Sequence, residues 1–114
     1  MSARFVAMPV AALALVLATH GAVVVTGSSM EPTLSRGDIC IYRKTHKVQP
    51  GQIVVFERDE DEGLVVHRAL TVGLRGEVRS QGDSNDVGDQ GVVSADRLRG
   101  PVVLAFPTGS LERQ

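Results

Sequence analysis

Leu64-Val65-Val66-His67-Arg68-Ala69-Leu70-Thr71-Val72 is a run of aliphatic and β-branched side chains with an imidazole and a guanidinium at its centre. Such composition packs well on a pleated, half-buried surface and predicts a strand. Working outward, Ile39 to Arg43, Gln52 to Glu57, Glu77 to Ser80 and Val102 to Phe106 repeat the pattern, each closed by glycine, proline or charged residues. The acidic stretch Asp59 to Glu62, followed by Gly63, suits a water-exposed hairpin loop between two of these strands. No helical periodicity longer than about two turns follows Val25, although Ser94 to Leu98 can form a brief turn with Ser94 as its cap. The expectation is a mostly β domain, small and antiparallel, over residues 26–114.

The first residues read differently. Phe5 to Val25 carries no formal charge apart from a protonated His20, and as one helix it would extend roughly 31 Å, enough to cross a bilayer. A cleavable secretory signal has a shorter apolar region, and so has a buried core helix. Residues 1–25 are therefore expected to be an N-terminal transmembrane helix, with Pro9 tolerated near its start. Arg4 just before the run places the N-terminus in the cytoplasm by the positive-inside rule, and the domain on the extracytoplasmic side of the cell membrane. With no second apolar run before Gln114, a single-pass topology is expected.

The net charge of −1, without a basic cluster, argues against nucleic acid as a partner. The single cysteine, Cys40, cannot form an intramolecular disulfide, and its neighbours Ile39 and Ile41 favour a role as a small core filler. His20, His46 and His67 lack metal-ligand spacing, so no metal site is expected.

A serine hydroxyl needs a base within hydrogen-bond reach and a group that fixes that base. Serines are offered by Thr26-Gly27-Ser28-Ser29-Met30-Glu31-Pro32-Thr33-Leu34, where Gly27 permits a tight turn and Pro32 keeps Glu31 out of helical conformation. A base is offered by His67, because an imidazole of ordinary pKa, about 6.5, is available in its neutral form at physiological pH. Acids follow in Gly82-Asp83-Ser84-Asn85-Asp86-Val87-Gly88-Asp89. Short carboxylates in such a loop also form Asx turns with their own backbone, which is the competing reading for Asp83. His46, among lysines, reads as solvated, and His20 as interfacial.

Gly27 to Leu34, Arg36-Gly37-Asp38, Gly51 to Phe56, Val66-His67-Arg68 and Gly82-Asp83-Ser84-Asn85 occur in the order of the boxes of signal peptidase I, which this chain resembles from Gly27 to about Asp89. Histidine in the base position, where bacterial enzymes carry lysine, is similar to the endoplasmic-reticulum and archaeal type. The resemblance implies Ser29 as nucleophile, His67 as general base, Asp89 as the acid orienting the histidine and Asp83 as a second acidic candidate, with Asp86 a third. It further implies cleavage of signal peptides from exported preproteins at the membrane lipid surface, an edge strand to hold the extended peptide, and no cofactor. Accessory subunits are left open.

The chain also departs from the family pattern at Gly27-Ser28-Ser29-Met30, Gly51-Gln52 and Gly82-Asp83-Ser84. The first departure leaves the backbone N–H of Ser29, with Ser28 or Thr26, as oxyanion donors. Two other readings stand beside the peptidase. A self-cleaving repressor-type protease would carry a DNA-binding segment and a lysine base, and this chain begins with an apolar run. An anchored β module, or an inactive relative that binds a partner without cutting it, fits the departures.

Overall fold

The computed structural model describes residues 9–58 and 63–109. Helix α1 (Val10–Thr19) is followed by six strands: β1 (His20–Val24), β2 (Ile39–Arg43), β3 (Ile53–Glu57), β4 (Leu64–Val72), β5 (Val78–Gln81) and β6 (Leu98–Phe106). They form one sheet in the order β1-β2-β6-β3-β4-β5, with every adjacent pair antiparallel. The expected antiparallel β domain is present. The acidic tip Asp59 to Glu62 lies outside the described residues, although Glu57 facing Leu64 and the bond from Arg58 N–H to the Gly63 carbonyl are those of a hairpin around it.

Strand β6 joins the two halves of the sheet. Leu98, Gly100 and Pro101 face β3, and Val102 to Phe106 face β2. The sequence expectation began this strand at Val102, because Gly100-Pro101 reads as a break. The structure carries it back to Leu98 because Gly100 adopts φ 149°, and the carbonyl of Arg43 occupies the space that a Cβ there would need. Pro101, fully buried, sits where β6 changes partner.

Two apolar clusters result. Val54, Phe56, Ala69, Val78 and Leu98 centre the first, under β3 to β6. Val25, Met30, Leu34 and Cys40 form the second, under β1 and β2. Cys40 is wholly buried, and burial, with Asp38 adding to it, pushes its thiol above the ordinary value of 9.0. It is a core filler, as its neighbours suggested. The Ala95–Arg97 segment forms a 3-10 turn with Ser94 at the cap position, but the Ser94 hydroxyl donates to Asp96 Oδ1 at 2.5 Å and not to the backbone.

The N-terminal run departs from the expected single helix through Val25. The helix ends at Thr19, and His20–Val24 pairs with β2 over five residues, His20 with Arg43 through Val24 with Ile39. Apolar character alone does not choose between helix and strand, and here β-branched Val23 to Val25 next to Gly21 choose the sheet. The ring of Tyr42 fills the space beside Gly21 that a larger residue would take. No helix among the described residues is long and apolar enough to cross a membrane, and Phe5 to Met8 lie outside them. Helix α1 is nevertheless apolar all round and buries no residue; Val10, Leu15 and Leu17 are 85%, 63% and 67% exposed.

Leu98 ties β6 to the first cluster at 1% exposure. Leu98→Ala is expected to cost about 3 kcal/mol, read as a lower urea midpoint with an unchanged slope.

Candidate active site

Ser29 lies in the turn between β1 and β2, on a segment that no strand holds. Its neighbour Met30 fixes it. The Met30 side chain, 1% exposed, is embedded in the second apolar cluster, while Ser29 is left half-buried at the surface of that cluster. A second tie comes from the Gly82-Asp83-Ser84-Asn85 turn. The Ser84 N–H donates to the Ser29 carbonyl at 2.9 Å, and the Ser84 hydroxyl donates to the Ser28 carbonyl at 3.1 Å. Such close approach requires glycine at position 82, where a Cβ would stand 2.6 Å from the Ser29 carbonyl oxygen and 2.9 Å from its Cβ.

His67 stands on β4 opposite Val54, with its ring edge-on to Phe56 at a centroid distance of 6.3 Å. Its Nε2 is 2.9 Å from Ser29 Oγ, and its Nδ1 is 2.5 Å from Asp89 Oδ2. A carboxylate accepts only, so Nδ1 carries the proton, and Nε2 is left as the acceptor facing the serine hydroxyl. The three groups form one hydrogen-bonded series from hydroxyl to imidazole to carboxylate, in which a proton can pass from Oγ to Nε2 while the resulting positive charge faces Asp89. The structure thus brings together Ser29, His67 and Asp89.

Asp83 is placed elsewhere. Both its oxygens take the Arg68 fork, Nε to Oδ1 at 2.9 Å and Nη2 to Oδ2 at 2.8 Å, and the Thr33 hydroxyl donates to Oδ2 at 2.5 Å. This carboxylate ties β4 to the segment just after Ser29, and it makes no bond to His67 among the described contacts. Asp86 is exposed in the loop. His20 is bonded within its own turn, its Nδ1 2.9 Å from Thr19 Oγ1, and His46 lies exposed after β2. One contact was not singled out in the sequence. Ser80 on β5, 2% exposed, donates its hydroxyl to Asp89 Oδ2 at 2.6 Å. A serine in a short polar strand carries no signal of this, because the contact depends on how the following loop folds back.

A cleft of about 270 Å³ opens beside Ser29 and His67. Val24 to Gly27 line one wall and Leu64 to Val66 the other, with Arg58 at the margin. Leu64 to His67 pair with β3 on one side, whereas β5 begins to pair only at Arg68. Among the described residues the other edge of this half of β4 has no strand partner.

The Arg68 fork, and to a lesser degree Thr33, outweigh partial burial and hold the Asp83 carboxyl below its ordinary value of 3.8. A depressed folded-state value adds stability above the ordinary carboxylate range, and that stability is lost as the pH falls through the folded value. Asp83→Asn is expected to cost about 1 to 2 kcal/mol at neutral pH. The gap between wild type and variant closes below pH 3.8, as measured by urea unfolding across a pH series.

Residues 8–90 match the family model described as Peptidase S24-like. Over 71 residues the chain is 39% identical to the signal peptidase complex catalytic subunit SEC11 of Candida albicans, which covers 59% of this chain and 43% of that protein. Over 76 residues it is 34% identical to the signal peptidase complex catalytic subunit SEC11C of Homo sapiens, covering 61% of this chain and 40% of that one. The chain therefore spans less than half the length of these relatives. With the family model matched over residues 8–90, from within the N-terminal run to just past Asp89, the chain belongs to the Peptidase S24-like family, and its similarity to the SEC11 subunits supports the endoplasmic-reticulum and archaeal type of signal peptidase within it.

Proposed function

We propose that the chain is a membrane-bound serine endopeptidase that removes signal peptides from exported preproteins, with Ser29 as nucleophile, His67 as general base and Asp89 as the acid that orients it. The observation carrying this reading is the hydrogen-bonded series Ser29–His67–Asp89 at the mouth of a cleft. The SEC11 relatives, named as catalytic subunits of the signal peptidase complex, supply the substrate class.

In the proposed cycle a preprotein lies extended along the free edge of Leu64 to His67, its backbone adding to the sheet and its small side chains entering the cleft. His67 Nε2 takes the Ser29 proton as Oγ attacks the scissile carbonyl. The imidazolium so formed is stabilised by Asp89. The Ser29 N–H, with the Thr26 hydroxyl from the same cleft wall, supports the negative charge on the carbonyl oxygen. His67 then gives the proton to the departing amine as the C–N bond breaks; water, deprotonated by the same nitrogen, attacks the acyl carbon, and the proton passes to Oγ as the ester bond breaks.

Anchoring to the membrane by the N-terminal segment is supported by helix α1, whose apolar side chains have no protein partner among the described residues. Its last carbonyl, that of Thr19, accepts the Lys44 N–H at 2.7 Å, and Arg43 pairs with His20, so the exposed Arg43 and Lys44 lie at the foot of the helix. An apolar post with cations at its base suits a hydrocarbon layer with phosphate headgroups at its margin. In the proposed topology the chain passes the bilayer once, with the sheet on the extracytoplasmic side.

Full-length protein in detergent is expected to cut a preprotein at its signal junction, located by mass. Ser29→Ala and His67→Ala are each expected to lower the rate about a thousand-fold or more with unchanged circular dichroism. Full activity in either folded variant overturns its assignment. A folded wild type that cuts no preprotein favours instead the anchored module that binds without cutting. Separately, Leu13→Asp/Leu17→Asp is expected to release the chain from liposomes in a flotation assay, since each buried carboxylate costs about 3 kcal/mol within the bilayer. Continued flotation would rule out α1 as the anchor.

A further inference from the structure

We propose that Ser80 is a positioning residue that holds the Asp89 carboxylate in line with His67; this rests on the Ser29–His67–Asp89 reading above. Asp89 is carried by a loop outside the sheet, and its side chain is 27% exposed. A short acid on such a loop has several rotamers open to it, and water competes for its oxygens. Ser80 removes both freedoms. Its carbonyl accepts the Asp89 N–H at 2.8 Å, and its hydroxyl donates to Asp89 Oδ2 at 2.6 Å. The same oxygen receives His67 Nδ1 at 2.5 Å. Two donors from two different strands, β4 and β5, therefore converge on one carboxylate oxygen and fix its position from both sides.

Burial separates this contact from ordinary satisfaction of a core hydroxyl. Ser80 is 2% exposed on a strand paired to β4, where Ala69 stands opposite it, so its Oγ has a fixed origin. Asp89, in contrast, can bond water through its exposed edge. Replacing Ser80 by alanine thus removes a donor without leaving an orphaned buried group, and the fold is retained. What changes is the alignment of Asp89, and through it the tautomer and tilt of the imidazole. Loss of orientation acts on the transition state, in which the imidazolium forms, more than on peptide binding along β4.

The test compares Ser80→Ala, Ser80→Thr and Ser80→Val in the full chain. Threonine keeps the hydroxyl and valine matches its shape without it, so this pair isolates the hydrogen bond even if alanine disturbs packing. On a preprotein substrate, alanine and valine are expected to lower kcat about ten-fold with KM within two-fold, and threonine to restore most of the rate. Proton NMR gives a readout independent of turnover. The His67 Nδ1 proton, assigned by its loss in His67→Gln, is expected to resonate far downfield in wild type and Ser80→Thr, and to move upfield and exchange faster with water in Ser80→Ala and Ser80→Val. A wild-type rate and Nδ1 signal in Ser80→Ala overturn the proposal, as does a threonine variant no better than valine. If the wild type cuts no preprotein, the peptidase reading fails while the Nδ1 signal still decides whether Ser80 aligns Asp89.

Discussion

The site depends on the burial of Met30. Ser29 belongs to no strand, and a turn of serines and glycine has little of its own to hold a hydroxyl within 2.9 Å of an imidazole. The adjacent thioether supplies the constraint. Sealed at 1% exposure between Val25, Leu34 and Cys40, it fixes the backbone one residue from the hydroxyl, so Ser29 stays at the rim while Met30 stays inside. The unbranched Met side chain fits the irregular space beneath a turn better than a β-branched residue would. Its sulfur also receives the Asp83 N–H at 3.4 Å, which joins the Ser29 turn to the loop that carries Asp89. Geometry at the reacting end is thus set mainly by apolar packing, with hydrogen bonds selecting among the arrangements that packing allows.

The two acids show how a loop of similar residues is divided by its neighbours. Asp83 and Asp89 lie on the same polar stretch and are equally short. Asp83 follows Gly82 directly, where the chain is pressed against Ser29, and faces outward to the fixed fork of Arg68. Asp89 comes after the loop has returned to β5, where its N–H meets the Ser80 carbonyl and its carboxylate reaches His67. The Arg68 fork engages both oxygens of Asp83, and the Thr33 hydroxyl adds to Oδ2, so the position of this carboxylate is set by Arg68 and Thr33 and not by the imidazole. Arg68 and His67 are adjacent on β4, where successive side chains alternate between the faces of the sheet; this alternation gives one acid to the guanidinium and the other to the imidazole.

The positions of β2 to β5, the proximity of a serine and a histidine and the buried thiol were legible because they rest on composition and residue chemistry. Leu64 to Val72 was marked by its aliphatic and β-branched composition, and it is β4 to the residue. What was not legible depended on partners distant in sequence. His20 to Val24 is apolar enough for either a helix or a strand, and only the five facing residues of β2 decide. Gly100-Pro101 reads as a break until Arg43 is seen to press on the glycine. The choice among Asp83, Asp86 and Asp89 rests on the path of a loop, and the Ser80 contact rests on that choice. These are tertiary facts, and no local propensity encodes them.

The chain contains an intrinsically stronger nucleophile than Ser29, to which the proposed reading gives that role. A thiol is more acidic and more polarisable than a hydroxyl, and Cys40 lies only one strand from the site. It is disqualified by position. Cys40 points into the second cluster at 0% exposure, where burial favours the neutral thiol. No base can reach it without opening the packing that also fixes Met30. Ser29 has the opposite circumstances: a poor nucleophile by itself, it is half-exposed and hydrogen-bonded to an imidazole whose other nitrogen is held. On the proposed reading, reactivity follows from access and from a correctly protonated neighbour, and the second apolar cluster provides both outcomes, burying the thiol inside it and presenting the hydroxyl at its edge.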